Sequence, residues 1–134
     1  MKAVVLDADW APRAAARISE RDRARRWAPN ASEAYRNPVV TYRDVPDPGA
    51  PGPNDVILEV GACGLCGTDV HMLETDAEGY MLSPYHLMAP VITGHEFAGR
   101  VVAAGSDVTS LRVGEMSRRS PPLSDSAERH GVGI

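Results

Sequence analysis

The chain has 134 residues, 43% of them hydrophobic and 24% charged, with a formal net charge of -4. Those values amount to one domain's worth of sequence, able to bury a core without disulfides, and they exclude wholesale disorder. The acidic balance gives no global attraction to nucleic acid or anionic membrane, and no apolar run nears the ~18 residues that a membrane span needs.

The N-terminal segment MKAVVLDADW has too short an apolar stretch for a signal peptide, so the expected location is cytoplasmic. Lys2 to Leu6 reads as a short strand closed by Asp7-Ala8-Asp9. Residues 11 to 27 contain no Gly and are rich in Ala and Arg, with Glu20 among them, which predicts a weakly amphipathic helix. Seven of the thirteen arginines lie between Arg13 and Arg36, with Arg21, Arg23, Arg25 and Arg26 close together. Such a run suits a phosphate or nucleic-acid patch. With Glu20, Asp22 and Glu33 interspersed, it reads instead as the solvated face of a helix.

Asn37-Pro38 ends that segment, Val39 to Val45 alternates as a strand, and the Pro- and Gly-rich stretch from Pro46 to Asp55 supplies turns. Val56, Leu58 and Val60 alternate with Ile57, Glu59 and Gly61, so a further strand leads into Cys63 and Cys66. From Val91 a hairpin is expected, with Val101-Val102 in one arm, a turn at Gly105-Ser106-Asp107 and a return over Leu111 to Val113. Short strands punctuated by Gly and Pro predict a mainly β fold, a barrel or sandwich with little helix. Beyond Glu115 the apolar pattern stops, and residues 116–134 are expected to form a disordered tail.

The chemistry concentrates in GACGLCGTDVHM, from Gly61 to Met72, and GHEFAG, from Gly94 to Gly99. Zinc prefers thiolate and imidazole, and Cys66 and His95 offer one of each. Asp69 and Glu96 are placed to orient a ligand or tune the charge at the metal, while Thr68 and His71 could pass a proton from a metal-bound alcohol to solvent. Cys63 admits two readings, a small buried residue near a strand end or one half of a CxxC redox pair. The absence of a βαβ pattern favours the former.

These motifs, with the trailing Gly105 to Glu115, resemble the GroES-like catalytic domain of zinc-dependent medium-chain alcohol and polyol dehydrogenases. The resemblance implies a GroES-like, partly open β-barrel over residues 1–115 with an Arg-rich insertion at about 11–37. It makes Cys66 and His95 zinc ligands, Thr68 the hydroxyl that contacts the alcohol, His71 the outer member of a proton relay, and Asp69 and Glu96 the acidic positions beside the metal. Glu74 to Tyr80 and the insertion ending in Asn37-Pro38-Val39-Val40 look most similar to the scyllo-inosose, or inositol-type, group, and Glu74 and Asp76 would suit a hydroxyl-rich substrate.

The family pattern also calls for a third zinc ligand, a four-cysteine structural zinc loop and a Rossmann half with G-x-G-x-x-G. No cysteine follows Cys66 and no such fingerprint occurs. The expectation is therefore a truncated NAD(P)-linked dehydrogenase, inactive alone, with an aberrant tail after Glu115 that reflects a truncation or reading-frame error. Its implied partners are zinc, a small alcohol or polyol, and a homo-oligomer in the full-length family, without nucleic acid or membrane. The competing reading is a non-catalytic zinc-binding or protein-interaction module.

Overall fold

Strand β1 (Lys2–Trp10) outruns the apolar stretch that predicts it and passes through Asp7 and Asp9, because β2 (Tyr35–Asp44) supplies backbone partners along its whole length. The computed structural model describes residues 1–119. They fall into two units, Met1–Val45 with Leu65–Thr93, and Pro46–Gly64 with the chain from Gly94 onward.

In the first unit β1 is central, antiparallel to β2 on one side and to β4 (Val91–Ile92) on the other. Asn37-Pro38, expected to end the preceding helical segment ahead of a strand at Val39, is instead absorbed into β2, which starts at Tyr35. The register slips by one residue between Asp7↔Val39 and Asp9↔Arg36, and Asn37 takes φ 50. A bulge in an edge strand tolerates both a left-handed Asn and a Pro without an N–H. Asn37 Nδ2 donates to Asp9 Oδ2 at 2.9 Å and fixes the kink.

The helix expected over residues 11 to 27 shrinks to α1 (Glu20–Ala24), capped by Ser19, whose Oγ accepts from Asp22 N–H at 3.1 Å. Upstream, Ala11 and Arg13 donate their N–H groups to the carbonyls of Ala34 and Glu33, so the backbone there is already committed to extended pairing. None of the residues of α1 is buried, so no apolar face favours a longer helix. The core of this unit gathers Leu6, Ile18, Ala28, Ala31, Ala34, Tyr35, Met81 and Leu87, with Trp10 edge-on to Tyr35 at 5.1 Å. A short helix, α2 (Gly67–His71), completes the elements named here.

The second unit is a three-stranded antiparallel sheet in the order β3 (Val56–Gly64), β5 (Glu96–Ala104), β6 (Met116–Arg119). The expected return arm at Leu111 to Val113 is displaced. Pairing resumes at Gly114, whose N–H donates to Val101 O at 2.8 Å, and Glu115, whose carbonyl accepts from Val101 N–H at 2.9 Å, and continues into β6. Glu115 itself closes a turn by accepting Arg112 N–H at 3.1 Å, which keeps Leu111 to Val113 out of the ladder. Strand pairing thus reaches four residues into the segment expected to be disordered, and residues 120–134 of that segment lie outside the described residues. In this unit Val101 alone among the described hydrophobic residues is fully buried. Neither sheet closes on itself, and strands predominate over short helices in both units. Among the described residues no helix is long and apolar enough to cross a membrane.

Candidate metal and proton-relay site

The first group of candidate residues lies on the opening turn of α2. Cys66 is its N-cap, with extended backbone, and its Sγ accepts a hydrogen bond from Thr68 N–H at 3.2 Å. Asp69 returns the bond, its Oδ2 accepting from Cys66 N–H at 2.9 Å. This is a capping box in which a cysteine takes the place usually held by Ser or Thr, and it satisfies N–H groups that a helix start leaves open. Asp69 is 8% exposed, so this carboxylate is a buried structural partner of the cysteine as well as an acidic position near it.

Thr68 and His71 stand three residues apart on the same helix, the spacing that puts side chains on one face. Thr68 is half-buried. The His71 ring is exposed, and its Nδ1 lies 3.0 Å from Glu74 Oε2.

The second group belongs to the other unit. His95 is half-buried immediately before β5, and Glu96 is the exposed first residue of that strand, paired in the ladder with Gly64. The Glu96 carboxylate lies over Gly64, with Oε2 3.3 Å from where a Cβ would stand. Cys63, expected to be small and buried, is exposed. The end of β3 from Glu59 to Gly64 is open throughout, so the strand offers this thiol no interior to enter.

Asp76, expected to suit a hydroxyl-rich substrate, is already engaged. Its Oδ1 accepts from the N–H groups of Glu78 and Tyr80, each at 2.9 Å, and its Oδ2 accepts from Arg13. Desolvation works against its ionisation, but the Tyr80 and Glu78 N–H groups and the Arg13 guanidinium outweigh it and hold the carboxyl below its ordinary pKa of 3.8. Arg13 also meets Glu78 at 2.9 Å and sits 3.7 Å over the Tyr80 ring, with Arg36 over the same ring at 5.0 Å. In the sequence Arg13 is one of seven arginines between positions 13 and 36, with nothing to mark it out. The signal available was the Asp-x-Glu-Gly-Tyr turn, whose first carboxylate caps its own loop and faces outward for a cation. Arg21, Arg23, Arg25 and Arg26 are exposed, as the solvated reading expects.

Comparison with known proteins assigns the family. Residues 52–118 match the family model described as the alcohol dehydrogenase GroES-like domain. The chain is 39% identical to scyllo-inosose 3-dehydrogenase of Thermotoga maritima over 92% of its own length and 31% of that protein's. It is 49% identical to L-threonine 3-dehydrogenase of Cutibacterium acnes over 58% of its length and 21% of that protein's. A solved structure, a "putative alcohol dehydrogenase" of Thermotoga maritima, superimposes with a TM-score of 0.78 at 39% identity, covering 86% of this chain and 31% of that one. The chain thus spans less than a third of the length of these relatives, and the part it spans has the GroES-like fold. With the model match over half its residues and this similarity over nearly all the rest, the chain belongs to the alcohol dehydrogenase GroES-like domain family.

Proposed function

We propose that this chain is the zinc-carrying catalytic portion of an alcohol or polyol dehydrogenase, an oxidoreductase acting on CH–OH with NAD(P), and that Cys66 and His95 are its zinc ligands. The observation that carries the reading is α2 with its N-cap, where Cys66, Thr68 and His71 occur within six residues in a chain 39% identical to scyllo-inosose 3-dehydrogenase. The donor chemistry fits zinc: Cys66, His95 and Glu96 each offer one ligand atom, a thiolate, an imidazole and a carboxylate. The register of β3 with β5 adds support. It ends at Gly64↔Glu96, two residues before Cys66 and one after His95, so at ~3.8 Å per residue covalent geometry keeps both within a few residues' reach of that pair.

When bound, zinc supplies a Lewis acid that lowers the pKa of an alcohol oxygen, and the nicotinamide supplies the hydride acceptor. The chain's own residues do the rest in this reading. Cys66 and His95 hold the metal, while Asp69 and Glu96 order its surroundings. Thr68 orients the alcohol and hands its proton toward His71, whose exposed ring releases it to water. Residues 1–134 contain no G-x-G-x-x-G, so this reading assigns them the metal and the proton path and not the nicotinamide.

Zinc content of the purified chain tests the reading, with roughly one zinc per chain expected and its loss expected in His95→Ala. Zinc near zero in the wild type overturns it. A second reading, a zinc-binding or protein-interaction module without turnover, draws on the exposed Val60, Val102, Val113 and Met116 in a unit with so small a core. It predicts concentration-dependent association by analytical ultracentrifugation, and a monomer at all concentrations counts against it.

A further inference from the structure

The loop after α2 folds back onto the last residue of the helix. His71 Nδ1 lies 3.0 Å from Glu74 Oε2, three residues on. The opposite edge of the ring, Nε2 with Cδ2, lies 4.0 Å from where a Cβ on Gly67 would stand. Gly67 and Thr68 precede His71 by four and three residues, the positions a helical side chain covers as it leans toward the N-terminus. The ring is therefore oriented, with Nδ1 toward Glu74 and Nε2 toward the turn that carries Cys66 and Thr68.

Glu74 is held for this arrangement from both sides. Its N–H donates to His71 O at 3.2 Å, and its carbonyl accepts from Leu82 N–H at 2.9 Å. Between those bonds the chain forms a small hairpin, bridged at Thr75↔Met81, and Arg13 clamps its tip through Asp76 and Glu78. The two side chains remain well exposed, His71 at 67% and Glu74 at 54%. An exposed pair adds little to stability, so its orientation matters more than its energy.

We propose that Glu74 is a positioning residue for His71. A carboxylate oxygen 3.0 Å from Nδ1 favours the neutral tautomer protonated there and leaves the lone pair on Nε2, the nitrogen facing the Thr68 turn. This rests on the reading of His71 as the outer member of a proton relay. In the step itself an Nε2–H bond forms as the donor's O–H bond breaks, and no electrons change hands. The imidazolium then carries its charge beside the Glu74 carboxylate until water takes the same proton from the exposed ring. A carboxylate fixes a histidine's tautomer and stabilises its charged form in the same way in the Ser-His-Asp triad.

The test is nitrogen-15 NMR of the labelled full chain, read at an alkaline pH where the ring's own nitrogen shifts show it to be neutral. Long-range proton–nitrogen correlations report which ring nitrogen carries the proton. The neutral His71 ring is expected as Nδ1–H in the wild type and in Glu74→Gln, whose carbonyl still accepts, and as predominantly Nε2–H in Glu74→Ala. An Nε2–H ring in the wild type, or the same tautomer in the wild type and Glu74→Ala, overturns the proposal. Zinc content of the same samples is read separately. A zinc-free wild type defeats the dehydrogenase reading without altering the tautomer, and an unchanged tautomer defeats the Glu74 assignment with zinc in place.

Discussion

The phenolic oxygen of Tyr35 accepts a hydrogen bond from the backbone N–H of Ala89, 54 residues away, at 3.1 Å, and donates its own proton to the carbonyl of Arg26. One buried hydroxyl thereby joins β2 to the two loops that meet at the Ala28↔Leu87 bridge. Tyr35→Phe keeps the ring against Trp10 but leaves both backbone groups without the phenol, at an expected cost of about 1–3 kcal/mol in urea denaturation. Burial raises the Tyr35 pKa above 10.0, with the Ala89 N–H and Arg26 opposing it. A raised pKa means that stability is complete below pH 10.0 and is lost as the pH climbs through the folded value. Tyr35→Phe should lack that share of the alkaline loss.

The clamp at the hairpin tip gives the opposite sign. Asp76 is held below its ordinary pKa of 3.8, so its contribution is present above that value and disappears as the pH falls through the lower, folded one. Thermal unfolding of the wild type and Asp76→Asn should therefore differ near neutral pH and converge in acid. Equal melting temperatures for the two at pH 7 would show that the Arg13 pairing contributes nothing.

Two glycines of the site motifs separate close approach from mere smallness. A Cβ on Gly99 would stand 2.3 Å from Glu59 O, across the β3–β5 ladder, whereas one on Gly61 meets nothing nearer than Ala98 O at 3.7 Å. Gly99→Ala should cost roughly 3 kcal/mol or abolish folding, since backbone must move to admit it. Gly61→Ala should change stability by less than about 1 kcal/mol. Similar chemical denaturation midpoints for the two variants would contradict the packing assigned to β5.

Cys66 holds a structural place and a proposed metal place, and one substitution separates them. Serine is a favoured N-cap, so Cys66→Ser should preserve α2 and alter stability by less than about 1 kcal/mol. Its zinc affinity should fall by more than about 100-fold, because a neutral hydroxyl is a far poorer ligand than thiolate. Calorimetric zinc titration beside circular dichroism reads both effects, and unchanged zinc affinity would remove Cys66 from the ligand set.

The linear order of residues determined the kind of fold and the family. Alternation at Val56 to Val60 marks β3, the Pro- and Gly-rich run before it marks the turn, and the motifs around Cys66 and His95 single out the segments that the family comparison confirms as its own. These signals are local, carried by residues two to four apart, and local geometry makes them legible. Tertiary pairing decided the rest. Residues 11 to 13 give up helix because Glu33 and Ala34 present carbonyls to them, and Asn37-Pro38 becomes a bulge because β1 continues beside it. Cys63 stays exposed because no described residue buries the end of its strand, and Asp76 turns from a candidate substrate contact into the anchor of Arg13, 63 residues away. Each of these outcomes depends on which distant backbone or charge arrives alongside, and composition and periodicity carry no record of that.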